Sequence, residues 1–269
     1  NRVARWDGGA WSSLGTGASN GVGGNATVFA LTAIGGDLYV GGSFTQAGGA
    51  QASRVARWDG AMWSALGTGT GNGVSNTVYA LHALGSDLYV GGAFVQAGGA
   101  SANRIARWNG AAGSSLDSSG GNGVLDGFVY AISSIGLDLY VGGTFSQVAG
   151  EAAARIARWD GAAWYSMTPL AGMVSVNSIA TMGGDLYMGG VFSQPGGASA
   201  SNIARWDGMA WSSLGTGGGN GVNDSVNALA TVDTTIYAGG SFIRAGGAIA
   251  NHVARWNGAS WSSLGAGTG

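Results

Sequence analysis

Apolar residues recur along this chain in short runs bounded by glycine and small polar residues. The segment beginning at Val78 shows the pattern. VYALHAL is apolar on both faces, as a strand enclosed between two sheets must be. GSD turns the chain, and DLYVGG reads as a second apolar strand ending in paired glycines. AFVQAGGASAN reads as a loop of small neutral residues. RIARWNG is a third strand, and SSL after the next turn a fourth. No stretch carries the 3.6-residue apolar period of an amphipathic helix.

These four segments, A to D in order, recur. The phrase RVARWDGGAWSSLG at 2–15 returns in variants starting at Arg54, Arg104, Arg155, Asn202 and His252. Successive starts, counted from Arg2, are 47 to 52 residues apart, the period of a four-stranded propeller blade. The A–B part occurs five times, from Val28, Val78, Val129, Val176 and Val226, and the C–D part six times. The pattern predicts an all-β chain, a β-propeller of four-stranded antiparallel blades. It has five complete repeats plus an extra C–D half blade, in a five- or six-position ring. The expected single domain covers 1–269, with a half blade at 1–16 and blades near 28–66, 78–116, 129–167, 176–214 and 226–264. An unfinished front blade implies a parent protein with at least six. It also predicts that 1–16 is surplus or fills part of a sixth position, is less well held than 252–265 unless a partner completes it, and is removable without loss of the fold.

Composition narrows the function. Charged residues are 9% of the chain and the net charge is −2, which argues against nucleic acid and anionic membranes as partners. All eleven basic residues are arginine. The absence of cysteine removes disulfides, thiolate metal sites and cysteine nucleophiles. No apolar run approaches the roughly 20 residues of a membrane-spanning helix, so no membrane insertion is expected. The missing initiator methionine and leader imply a processed or excised piece.

The recurring polar residues read as scaffold. The second arginine of strand C recurs at Arg5, Arg57, Arg107, Arg158, Arg205 and Arg255, and an aspartate opens strand B at Asp37, Asp87, Asp138 and Asp185. B and C run antiparallel, which sets Asp37 near Arg57, Asp87 near Arg107, Asp138 near Arg158 and Asp185 near Arg205. A ring of arginines for an anion is the competing reading; the joint recurrence of both charges favours a partly buried ion pair in each blade. Blade five has Thr235 instead, with Asp233 as a stand-in. Paired tryptophans across the C–D turn, such as Trp58 and Trp63, predict a cross-strand aromatic pair. The pair fails at Trp108 and Gly113, so Trp63→Ala is expected to cost more than Trp108→Ala. The glycine pairs, such as Gly41–Gly42, lack the helix and lysine of a phosphate loop and read as close backbone packing.

The B–C and D–A loops emerge on one face. They carry Gln46, Gln96, Gln147, Gln194 and, out of pattern, Arg244, together with Asn20, Asn72, Asn122 and Asn220. These are the candidate ligand-binding residues, suited to a neutral polar partner, although Asn-Gly is first a turn signal. His82 and His252 are isolated, and Glu151 is the sole glutamate; no triad, metal cluster or catalytic carboxylate pair stands at a motif spacing. No cofactor or metal is expected.

LYVGG, the aromatic of the following C strand and the tryptophan opening D together resemble the kelch repeat, with tryptophan where kelch usually has tyrosine. The chain is also similar to glycine-rich propeller repeats of bacterial surface proteins. The resemblance implies a propeller with A innermost and D outermost, and leaves function open. The expectation is a non-catalytic structural or binding module of a secreted or cell-surface protein, mediating adhesion or protein interaction. Its partner is a protein or glycan on the loop face, and self-association through 1–16 is possible. The alternative is a multivalent lectin using that face.

Overall fold

The computed structural model describes residues 2–17, 20–23, 26–68, 71–118, 121–167, 172, 174–193, 195, 200–216 and 219–264. Every regular element among them is a strand, and no helix is long and apolar enough to cross a membrane. The chain is a β-propeller of four-stranded antiparallel blades. It forms two compact units, Asn1–Val129 and Tyr130–Gly269.

In the first unit, strands Ala4–Trp6 and Trp11–Ser13 form the half blade. Blade one is Val28–Ile34, Asp37–Gly42, Val55–Trp58 and Trp63–Ala65, hydrogen-bonded in that order. Blade two repeats it with Val78–Leu84, Asp87–Gly92, Ile105–Trp108 and Gly113–Ser115. The second unit holds blades three, four and five, whose A strands are Val129–Ile135, Ser175–Met182 and Val226–Val232. The first residue of blade three thus closes the first unit.

The cores lie between successive sheets, because each sheet is apolar on both faces. Val3 and Leu14 of the half blade pack with Val40, Phe44 and Ala56 of blade one. Val55 and Leu66 of blade one pack with Val78, Leu88 and Phe94 of blade two. In the second unit, Ile156 and Met167 meet Val176 and Leu186, and Ile203 and Leu214 meet Val226 and Ile236. The glycine pairs make this stacking possible. A Cβ on Gly41 would lie 2.5 Å from Val78 Cγ1 of the next blade, and one on Gly189 the same distance from Val226 Cγ1. A Cβ on Gly42 would strike the carbonyl of Thr27. Close packing, as expected, explains the pair.

Strand A departs from the expectation where its neighbour is incomplete. Leu81 packs on Gly41 of the preceding blade. Its counterpart Leu31 follows a half blade that has no A–B hairpin, and it is 54% exposed. The B–C segment is not a plain loop either. Gln46–Ala47 pairs with Ala50–Gln51 in a miniature hairpin, and the same unit returns at Gln96–Ala97, Gln147–Val148 and Arg244–Ala245. Its turn uses glycine for two reasons: Gly48 has a φ of 61°, and a Cβ there would lie 2.6 Å from Trp63 Cβ.

The half blade is an integral part of its unit. Val3 and Leu14 are buried, and Trp63 Nε1 donates to the Leu14 carbonyl at 2.8 Å. The hairpin supplies one wall of the blade-one core.

Candidate functional site

The recurrent charges pair inside the sheets. Tyr39 of strand B stands opposite Arg57 of strand C, which stands opposite Ser64 of strand D. Asp37, two residues before Tyr39, shares its face, and Arg57 reaches back along that face to it. Arg57 Nε donates to Asp37 Oδ2 at 2.6 Å, Arg107 Nε to Asp87 Oδ2 at 2.7 Å, and Arg205 Nε to Asp185 Oδ2 at 2.6 Å. Arg158 pairs with Asp138 through Nη1 at 3.2 Å. These bonds hold Arg57, Arg107 and Arg205 more firmly protonated than usual. Burial raises the phenol pKa of Tyr39, Tyr89, Tyr140 and Tyr187 on the same rungs. In blade five Arg255 Nε instead donates to Ser262 Oγ at 2.9 Å. Asp233 makes no ion pair with it among the described residues, so the stand-in reading fails there.

The loop face is built by interlocking. Gly48 N–H donates to Gly21 O, Gly98 N–H to Gly73 O, and Gly246 N–H to Gly221 O, so the B–C hairpins of blades one, two and five sit on the Asn-Gly-Val loops that lead into those blades. Asn72 Oδ1 accepts from Ser53 N–H at 3.1 Å, and Nδ2 donates to Gln51 O at 2.7 Å. Asn122 repeats this clamp with Asn103 N–H and Ser101 O, both at 3.0 Å. The amides of Asn72 and Asn122 therefore fasten loop to loop. Asn20 Oδ1 is buried with no partner among the described residues. Gln46, Gln96 and Gln147 are exposed on their hairpins, and Gln194 lies outside the described residues.

Asn220 and Arg244 come together. They line a cavity of about 320 Å³ in the second unit, with Asn202, Asn223, Ser193 and Ser201 supplying polar walls and Phe192 and Val222 apolar ones. The cavity arises where the repeat is broken. The residue entering strand C is left-handed in each complete blade: Arg54 has φ 64°, Arg104 61°, Arg155 67°, Asn202 60° and His252 72°. In blade two the Arg104 side chain runs under the loop. Its Nε donates to Gly127 O at 2.7 Å, and its Nη1 to Val124 O and Leu125 O at 3.0 and 2.9 Å. Arg155 likewise donates to Val174 O and Phe145 O. Asn202 is shorter. Its Nδ2 reaches Val222 O at 3.1 Å while its Oδ1 accepts from Phe192 N–H at 3.2 Å.

The surroundings are also changed. Asn223 replaces Ser75 of the first unit. Ser75 Oγ accepts from the N–H groups of Val95 and Gln96; Asn223 Oδ1 accepts from those of Ile243 and Arg244, at 3.0 and 2.7 Å. Arg244 is the one charged side chain lining the cavity, and its Nη1 donates to Gly247 O at 3.0 Å. Sequence reasoning singled out Arg244 and Asn220 but missed Asn202 and Asn223. The signal was present: Asn202 interrupts the arginines at 54, 104 and 155. Among the described residues, no group of three or more His, Asp or Glu is placed to hold a metal ion.

Comparison with known proteins agrees with this architecture. Residues 36–58, strands B and C of blade one, match the family described as "Domain of unknown function (DUF5122) beta-propeller". No curated protein matches the chain. Among solved structures, the computationally designed Ika8 protein is similar over 90% of this chain and 70% of its own, at 13% identity and a TM-score of 0.50. YCF48 bound to a D1 peptide is similar over 88% of this chain and 66% of its own, at 15% identity and a TM-score of 0.49. At such identities the likeness to the designed protein concerns the fold alone.

Proposed function

We propose that this chain is a non-catalytic binding module of a secreted or cell-surface protein, mediating adhesion or protein interaction through its loop face. One observation carries the reading: the recurrent Asp–Arg pairs and the Asn72 and Asn122 amides are engaged in the scaffold, whereas the cavity at Asn202 and Arg244 forms where the repeat is broken. Function lives in sites grafted on a fold, and a concave pocket with a few convergent polar groups is where a ligand is held. A multivalent lectin would need equivalent free amides in every blade, and Asn72 and Asn122 are engaged with backbone. The test is to probe immobilised chain on peptide and glycan arrays beside Asn202→Arg. Peptide hits lost in the variant support the reading; glycan hits indifferent to it favour the lectin.

Self-association is a second reading with its own observation. Trp6 and Trp11 of the half blade are 51% and 71% exposed. On blade five, Val253 and Leu264 are 43% and 49% exposed, where Val55 and Leu66 of blade one are buried. Sedimentation across a concentration series tests it, with Trp11→Ala expected to weaken any dimer.

A further inference from the structure

We infer that the cavity at Asn202 takes a guanidinium group carried by a molecule with a free carboxylate: arginine, or the C-terminal arginine of a peptide. This rests on the loop face being the binding face. Blade two shows what such a space can hold. In blade two the equivalent space contains the guanidinium of Arg104, held by three backbone carbonyls and no carboxylate. Two of those carbonyls belong to Val124 and Leu125, whose counterparts Val222 and Asn223 line the cavity. Asn202 keeps the left-handed φ of the arginine it replaces, 60° against 61° at Arg104, while the cation is gone. Its Nδ2 satisfies the Val222 carbonyl. The Asn223 carbonyl accepts no hydrogen bond among the described residues, which leaves an acceptor for a planar donor from outside.

Buried walls at Phe192 and Val222 suit an aliphatic stem behind such a head group. The second requirement comes from Arg244. It stands where blades one to three have Gln46, Gln96 and Gln147, and it puts a positive charge at the cavity rim. A lone cation would be repelled there. A ligand whose carboxylate meets the remaining Arg244 donors gains a charge-assisted contact instead.

The experiment is calorimetric titration of the full chain with L-arginine, L-citrulline, argininamide and the dipeptide Ala-Arg. Saturable binding of L-arginine is expected, at least tenfold weaker for citrulline, which lacks the cation, and for argininamide, which lacks the carboxylate. Ala-Arg binding as tightly as arginine identifies a peptide C-terminus; binding of arginine alone identifies the free amino acid. Asn202→Arg fills the space from within and abolishes binding, with thermal unfolding run beside it to show that the variant is folded. Arg244→Gln brings arginine and argininamide to within threefold of each other. Citrulline binding like arginine, or binding retained in N202R, overturns the inference. If neither arginine nor Ala-Arg binds while N202R removes array hits, the guanidinium is the wrong ligand and the loop face stands. If N202R and R244Q change no array hit, both readings fall.

Discussion

Trp108 lies over Gly113. A Cβ built on Gly113 would be 2.5 Å from Trp108 Cζ3, so the ring has moved into the space that a strand-D tryptophan takes in the other repeats. Where the partner exists, the rings sit side by side across the register, as Trp58 and Trp63 do at 5.4 Å. Trp108 is 5% exposed, and its ring edge reaches toward Gly67 of the preceding blade. Losing its partner has not uncovered it: Trp159 and Trp256, which keep theirs, are 6% and 7% exposed. Trp108→Ala should cost about 3–5 kcal/mol, the usual range for emptying a buried aromatic site. Trp63→Ala, at a partly buried ring, should cost less, even with its bond to Leu14 O included. Denaturant unfolding of the two variants decides the order, and a larger loss for Trp63→Ala would refute the account.

Two glycines at one repeat position separate packing from backbone effects. A Cβ on Gly189 meets Val226 Cγ1 at 2.5 Å, whereas on Gly239 the nearest atom is His252 O at 4.0 Å. Gly189→Ala should destabilise by about 1–3 kcal/mol, as overpacking does. Gly239→Ala should be neutral or slightly stabilising, since alanine narrows the unfolded ensemble. Equal losses in the two variants would mean that the glycines serve the strand and not the approach of the next blade.

The pH dependence has two windows. Burial lowers the pKa of His82 from its ordinary 6.5. The unfolded chain therefore binds more protons than the folded one as pH falls below about 6.5, and stability declines there. Asp59, Asp160 and Asp207 are lowered by backbone N–H bonds at the C–D turns, such as Met62 N–H to Asp59 Oδ1 at 2.7 Å. Their contribution is present above the ordinary 3.8 and is lost as pH falls through the depressed value. His82→Gln should flatten urea stability between pH 7.5 and 5 and leave the acid limb in place. A wild-type slope in that variant would assign the upper window to another group.

The ion pairs should contribute little. Arg107 and Asp87 are 49% and 18% exposed, a geometry in which solvent screening leaves about 0–1 kcal/mol. A double-mutant cycle with Asp87→Asn and Arg107→Gln should give a coupling in that range, shrinking in 1 M salt. A salt-independent coupling well above it would show a pair buried more deeply in solution.

Much of this was legible because repetition compares the chain with itself. The strand order, the partnership of Asp37 with Arg57 and the register of Trp58 with Trp63 follow from period and antiparallel geometry. What escaped were effects between repeats. Nothing in the letters around Gly113 says that Trp108 will turn into the gap. The clamp of Asn72 onto Ser53 and Gln51 joins segments about twenty residues apart that look like separate loops. Asn202 was visible as a broken pattern, yet its meaning depends on where Arg104 points, and a side-chain direction is not a sequence property. The Gln46 hairpin was read as a loop because two-residue strands are too short to show alternation.

The half blade gives the sharpest test of what holds the first unit. Val3 and Leu14 are buried against Val40 and Phe44, and Leu14 O accepts from both Gly21 N–H and Trp63 Nε1. Deleting 1–16 uncovers that wall and leaves the Trp63 indole N–H without its acceptor. Each buried aliphatic side chain of this size contributes about 1.5–3 kcal/mol, so the loss should register as earlier unfolding of blade one. Trp11→Ala removes a ring that is 71% exposed and should shift stability by less than about 1 kcal/mol, which separates loss of the wall from loss of surface aromatics. Hydrogen exchange at Val40 and Phe44 should quicken in the deletion and not in Trp11→Ala. Unchanged exchange and an unchanged unfolding midpoint in the deletion would return 1–16 to the status of a dispensable appendage.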